Sequence, residues 1–129
     1  MKTNEIMIGD YLQVEPSGMA IRISTIHKKE VGYKTCQNRI SFVKEELLDP
    51  IPLTPEILEK NGFKKSEYDE NMYYWSFSIT SACISYDKET GIVRIFKTLG
   101  NLVFAYLISY VHELQHALRL CEIKKEIKL

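Results

Sequence analysis

The segment Asp49-Pro-Ile-Pro-Leu-Thr-Pro55 constrains this chain more than any other, because Pro50, Pro52 and Pro55 lie within a few positions of one another. Proline fixes φ and removes a backbone donor, so no helix or sheet ladder runs unbroken through such a stretch. The connection is therefore extended, and it separates two stretches that each need their own pattern. At its end Thr54 is a good N-cap, Pro55 suits the first helical position, Glu56 complements the helix dipole, and Asn61-Gly62 is a stop signal. These signals predict a short helix over 54–61, with Ile57 and Leu58 as its buried side and Phe63 packing just beyond it.

Both flanking stretches alternate with the period of a strand. In "MAIRISTIH", Met19, Ile21 and Ile23 alternate with Ala20, Arg22 and Ser24, which implies a half-buried strand. "IGDYLQV", "EVGYKTC" and "RISFVK" add further short strands within 6–44. After the helix, "NMYYWSFSI", "TSACISY" and "IVRIFK" read as an antiparallel meander, with a hairpin loop closed by Gly91. The apolar run "NLVFAYLI" fits either a fourth, fully buried strand or the opening of a terminal helix, because periodicity alone cannot assign it. Ser109 is a suitable N-cap for that helix, placed at about 110–124.

The expected fold class is α+β: an N-terminal SH3-like β module over 1–48, then a short linking helix and an antiparallel sheet packed by a C-terminal helix. Residues 49–129, in the order α-β-β-β-α, are expected to pack as one compact unit. The 129 residues are enough to bury a core without staples. Lys and Arg balance Asp and Glu at 17 each, so net charge recruits neither nucleic acid nor membrane. Cys36, Cys83 and Cys121 are odd in number and far apart, which points to reduced thiols serving as small core hydrophobes in a cytoplasmic protein. The opening residues lack the apolar stretch of a secretory leader.

One motif speaks of chemistry. "YVHELQHAL" contains H-E-x-x-H, in which His112 and His116 stand one helical turn apart and could both reach a zinc ion, with Glu113 as general base. Catalytic zinc needs a third protein ligand, and none falls at a familiar spacing: Arg119 and Ile123 stand where Gly and His would be required, Glu122 and Glu126 share the helix or its tail, and His27 is far upstream. On a helical projection Val111, Leu114, Leu118 and Cys121, flanked by Ala117 and Tyr110, form the apolar stripe, which turns His112 and His116 outward.

Together, "IGDYLQV", "IPLTPEILEKNGFKK" and "YVHELQHALRL" resemble a group of small uncharacterised proteins encoded by gut anaerobic bacteria and their phages and mobile elements. The likeness covers nearly the whole chain. In that group the last helix reads Tyr-Val-His-x-Leu-Gln-Asn, so the resemblance implies that His116 is incidental and that Val111, His112, Leu114 and Gln115 are structural. It implies no activity, cofactor or catalytic residue.

The aromatic run Tyr73-Tyr74-Trp75-Phe77 is read as alternate core members rather than a base-stacking platform, with Tyr74 on the exposed parity. Lys28-Lys29, Lys64-Lys65 and Lys124-Lys125 with Lys128 are read as solvated surface, the last pair also favouring a helix C-terminus. The expectation is a non-enzymatic binding or adaptor protein of phage or mobile-element origin. It has an unknown protein partner, no cofactor and no membrane association. The alternatives are a minimal zinc-dependent hydrolase built on His112, Glu113 and His116, and a nucleic-acid-binding module built on the small barrel.

Overall fold

A computed structural model describes residues 1–78, 82–97 and 100–129, with the backbone alone for residues 77 and 78. The class is α+β, with two antiparallel sheets and a C-terminal helix. The chain divides into two compact units, Met1–Pro52 with Tyr110–His112, and Leu53–Ser109 with Glu113–Leu129.

In the first unit β1 (Tyr11–Val14), β2 (Met19–Ile26), β3 (Glu30–Lys34), β4 (Ile40–Lys44) and β5 (Leu48–Pro50) form one sheet in the order β4-β3-β2-β1-β5. The alternation in β2 selects its faces as expected at Ile21 and Ile23, which are buried, while Met19 at the strand entry is exposed. Ile6, Leu12, Val31, Val43 and Leu48 complete a core around those two. Each such side chain contributes about 1.5–3 kcal/mol by leaving water. A fifth strand, β5, was not readable because Leu48-Asp-Pro50 is too short to show a period; a one-turn 3₁₀ helix at Glu45–Leu47 delivers it to β1. The sheet is open, with β4 and β5 at its edges and no barrel closure. Val111 returns to this unit, its N–H donating to Ile51 O at 2.9 Å beside a bridge between Pro52 and Tyr110.

The second unit begins where the proline segment ends. Helix α1 (Pro55–Lys60) starts as its sequence dictates, with Thr54 Oγ1 accepting from the Ile57 N–H at 3.3 Å. It stops at Asn61, and Gly62 takes φ +88°, a left-handed conformation that suits glycine. A two-residue strand β6 (Lys64–Lys65) then opens a sheet completed by β7 (Met72–Ser78), β8 (Ala82–Asp87), β9 (Ile92–Lys97) and β10 (Asn101–Leu107). Its order is β10-β9-β8-β7-β6. Ile84, Tyr86, Val93 and Ile95 are buried, as the alternation predicts.

In the apolar run at 102–108, Leu102 to Leu107 belong to a strand, but not a buried one, and Ile108 just beyond it is buried. Apolar residues of both parities signal a strand that can be covered on both faces, and the sheet order places this one at an edge with most of its side chains exposed.

Helix α2 (Val111–Leu120) is shorter than the expected 110–124, and Ile123 N–H bonds back to Leu118 O at 2.8 Å while Glu122 N–H bonds to Arg119 O at 3.0 Å. This closing pair needs a left-handed residue, and Glu122 supplies it at φ +57°. A side chain there is strained, so Glu122→Gly is expected to raise unfolding free energy by about 0.5–1 kcal/mol, read from urea melts. Among the described residues no helix is long and apolar enough to cross a membrane.

Candidate functional site

The H-E-x-x-H segment lies on α2 as the motif requires, yet its side chains are engaged in structure. The stripe Val111, Leu114, Ala117, Leu118 and Cys121 is buried as projected. His112, however, is only 8% exposed, and Gln115 is buried too, so the covered face of the helix is wider than the apolar stripe and the expectation that His112 looks outward is overturned. A histidine tolerates such a position because its ring body is apolar and flat; its ring stacks on Tyr110 at 6.0 Å between centroids and 18° between planes. His116 is half-buried.

Glu113, the candidate general base, is half-buried and its Oε1 accepts from the Ser109 N–H at 3.0 Å. That is the work of an acid in the first helical turn, satisfying a donor that the helix start leaves over. Ser109 thus enters the helix start through its backbone N–H. Among the described residues no three His, Cys, Asp or Glu side chains gather as a metal-holding group. His27 belongs to the first unit, where it lines a groove of about 630 Å³ with Lys28, Lys29, Glu30, Lys44, Glu45 and Glu46. Acidic and basic side chains are mixed there, and Glu45 is already spent on the Thr3 N–H, which donates to its Oε2 at 2.8 Å.

The aromatic run divides as its period requires: Tyr73 is buried and Tyr74 exposed. Trp75 is half-buried, and Lys125 Nζ lies 4.6 Å from its ring centroid, so that lysine covers an aromatic face instead of serving the helix dipole. The Phe77 side chain lies outside the described residues. Cys121 is buried as a small hydrophobe, whereas Cys36 is exposed at the β3–β4 connection, contrary to the expectation for it. All three cysteines are free thiols.

Burial pushes the Cys83 thiol above its ordinary 9.0, and burial followed by the Asp87 charge pushes the Tyr86 hydroxyl above 10.0. Cys121 moves the same way through burial, opposed by the charge of Lys97. As pH rises through 9.0 the unfolded chain releases these protons before the folded one, so the folded state holds more protons and loses stability. Lys125 has the opposite sign: burial lowers its pKa, and that penalty fades as pH climbs toward 10.5. The Cys83 contribution is lost as pH climbs through 9.0, so a Cys83→Ala variant is expected to lose melting temperature less steeply than the parent between pH 9 and pH 10.

The surface that sequence reasoning missed is β10. Leu102, Val103, Tyr106 and Leu107 are all at least half exposed, Tyr106 at 70%. Phe104 is half-buried, its ring 6.4 Å from that of Tyr106. In the ladder with β9, Phe104 faces Ile95 and Tyr106 faces Val93, so both lie on the face whose β9 members are buried. The available signal was the absence of any charged residue from Asn101 to Leu107. No protein-family model, curated protein or solved structure matches the chain.

Proposed function

We propose that this is a non-enzymatic binding protein of phage or mobile-element origin, acting in the cytoplasm and recruiting a protein partner through the edge of its second sheet. The observation that carries this reading is β10, a seven-residue edge strand with apolar side chains exposed on both faces and no charge. Natural sheets blunt their edges with short strands, lysines or prolines, and an edge left long and apolar is a template for an added strand. The other edge of the same sheet follows that habit, since β6 is two lysines long. The free thiols suit a reducing compartment.

The first unit supports an SH3-like reading through its strand order and the 3₁₀ turn between β4 and β5. Nucleic acid is the weaker ligand for it. Its groove lysines have acidic neighbours, and in the second unit the Trp75 ring is covered by Lys125.

The zinc-hydrolase alternative is separated by metal content. Protein purified without chelator, measured beside a His116→Asn variant, is expected to contain far less than one zinc per chain, and both forms should unfold at the same midpoint. Stoichiometric zinc in the parent, lost in the variant, would overturn the non-enzymatic reading and make His112 and His116 ligands with Glu113 as base.

A further inference from the structure

The reading of β10 as a binding edge leaves its partner open, and the inference that follows rests on that reading. We infer that the partner is a second copy of this chain: two β10 strands pair antiparallel about a twofold axis at Ala105, joining two five-stranded sheets into one continuous sheet.

Charge is the first argument. A twofold contact places each residue near its own image, so any charge at the centre meets a like charge. The strand Asn101–Leu107 has none, whereas β6 consists of Lys64 and Lys65, and β5, an edge of the first sheet, ends in Asp49-Pro50. The remaining edge, β4, ends in Lys44, so of the four edges β10 is the one free of charge along its whole length.

Register is the second argument. Antiparallel partners must lie on the same face of the sheet, so the axis passes through a residue or between two of equal parity. The ladder to β9 is irregular between Leu102 and Phe104 and regular from Phe104 to Leu107. With the axis at Ala105, the smallest side chain of the strand meets its image, and Phe104 lies opposite Tyr106 of the other copy on both sides of the axis. Cross-strand aromatic pairs are among the more favourable in antiparallel sheets. They would also cover Tyr106, whose ring points to the buried-side face of the sheet while remaining 70% exposed.

Area is the third argument. Leu102, Val103, Phe104, Tyr106 and Leu107 offer on the order of 100 Å² each, so roughly 1,000 Å² over two copies is the upper bound on what pairing removes from water, at the lower end of specific interfaces. Backbone hydrogen bonds along the shared edge add to this.

The test is sedimentation equilibrium of the full chain at about 100 µM, well above a micromolar Kd. The wild type is expected at twice its 15.0 kDa. An Ala105→Lys variant, which sets two lysines against each other on the axis, should sediment at 15.0 kDa with an unchanged circular dichroism spectrum. In a Cys36→Ser background, Ala105→Cys should form an intermolecular disulfide under mild oxidation, and Leu102→Cys should not.

A monomeric wild type, a dimer indifferent to Ala105→Lys, or equal cross-linking at Leu102 would each overturn the twofold pairing. A monomer that binds a synthetic peptide with the β10 sequence in wild-type form but not as Ala105→Lys would overturn the pairing of two whole chains and leave the edge-binding reading intact. Zinc content bears on that reading alone.

Discussion

Replacing Asn61 by alanine is expected to cost about 3 kcal/mol of unfolding free energy, seen as a lower urea midpoint with an unchanged slope. Asn61 ends α1, and its buried side chain also holds the segment around Lys128. Its Nδ2 donates to Ile57 O at 2.8 Å and to Lys128 O at 2.7 Å, while its Oδ1 accepts from Lys128 N–H at 2.7 Å. The amide therefore treats Lys128 as a neighbouring strand would. Removing it loses three hydrogen bonds at roughly 1 kcal/mol each and leaves buried donors and acceptors open. Ile127, 2% exposed and next to the clamp, loses its anchor at the same time. Asn61→Asp separates the donor and acceptor parts. It keeps the acceptor for Lys128 N–H but sets a carboxylate against two carbonyl oxygens, so it should be at least as damaging at pH 7 and partly recover in acid, where a protonated carboxyl regains one donor. An alanine variant within about 0.5 kcal/mol of wild type would mean that the terminal residues add nothing to the second unit.

Gly32→Ala is expected to destabilise the first unit by about 2 kcal/mol. Gly32 lies in the middle of three strands, opposite Thr25 on β2 and Phe42 on β4. A β-carbon there would collide with Thr25 Oγ1 and press on Ile40 Cγ2 at 3.1 Å and Phe42 Cε1 at 3.2 Å. Thr25 is β-branched and has few rotamers in which to retreat. The cause is checked by a double-mutant cycle: Thr25→Ala in the Gly32→Ala background should recover most of the loss, although it removes atoms from a packed site. Additive losses would place the strain elsewhere, and a neutral Gly32→Ala would show that Thr25 swings aside freely.

These two sites also show what was legible in the sequence. Thr54-Pro55, Asn61-Gly62, the alternation of Ile92–Lys97 and the apolar stripe of α2 were readable because each depends on residues a few positions apart, and all appear where expected. The grip of Asn61 on Lys128 spans much of the chain and has no local signature, so Asn61 reads only as a stop signal. The same limit applies to the candidate site. The spacing of His112 and His116 on one helix follows from helical geometry, but the burial of His112 depends on what packs over it from elsewhere. The edge position of β10 depends on strand order, which the alternation of a single strand cannot encode. An apolar run of both parities therefore reads the same whether neighbours in the fold or a partner are to cover it.

The route of the chain between its two units has a consequence for how the protein is made. Leu53 N–H bonds to Ser109 O at 2.9 Å, and the adjoining rung joins Pro52 to Tyr110, so the excursion departs and returns at neighbouring positions. A ribosome releases all five strands of the first sheet before it has synthesised Tyr110–His112, which belong to the same unit. The first unit thus waits for a late piece, while everything from Leu53 to Ser109 emerges in between. Interrupted products ending before Tyr110 would carry a complete first sheet in a unit that still lacks Val111, which is fully buried in the finished chain.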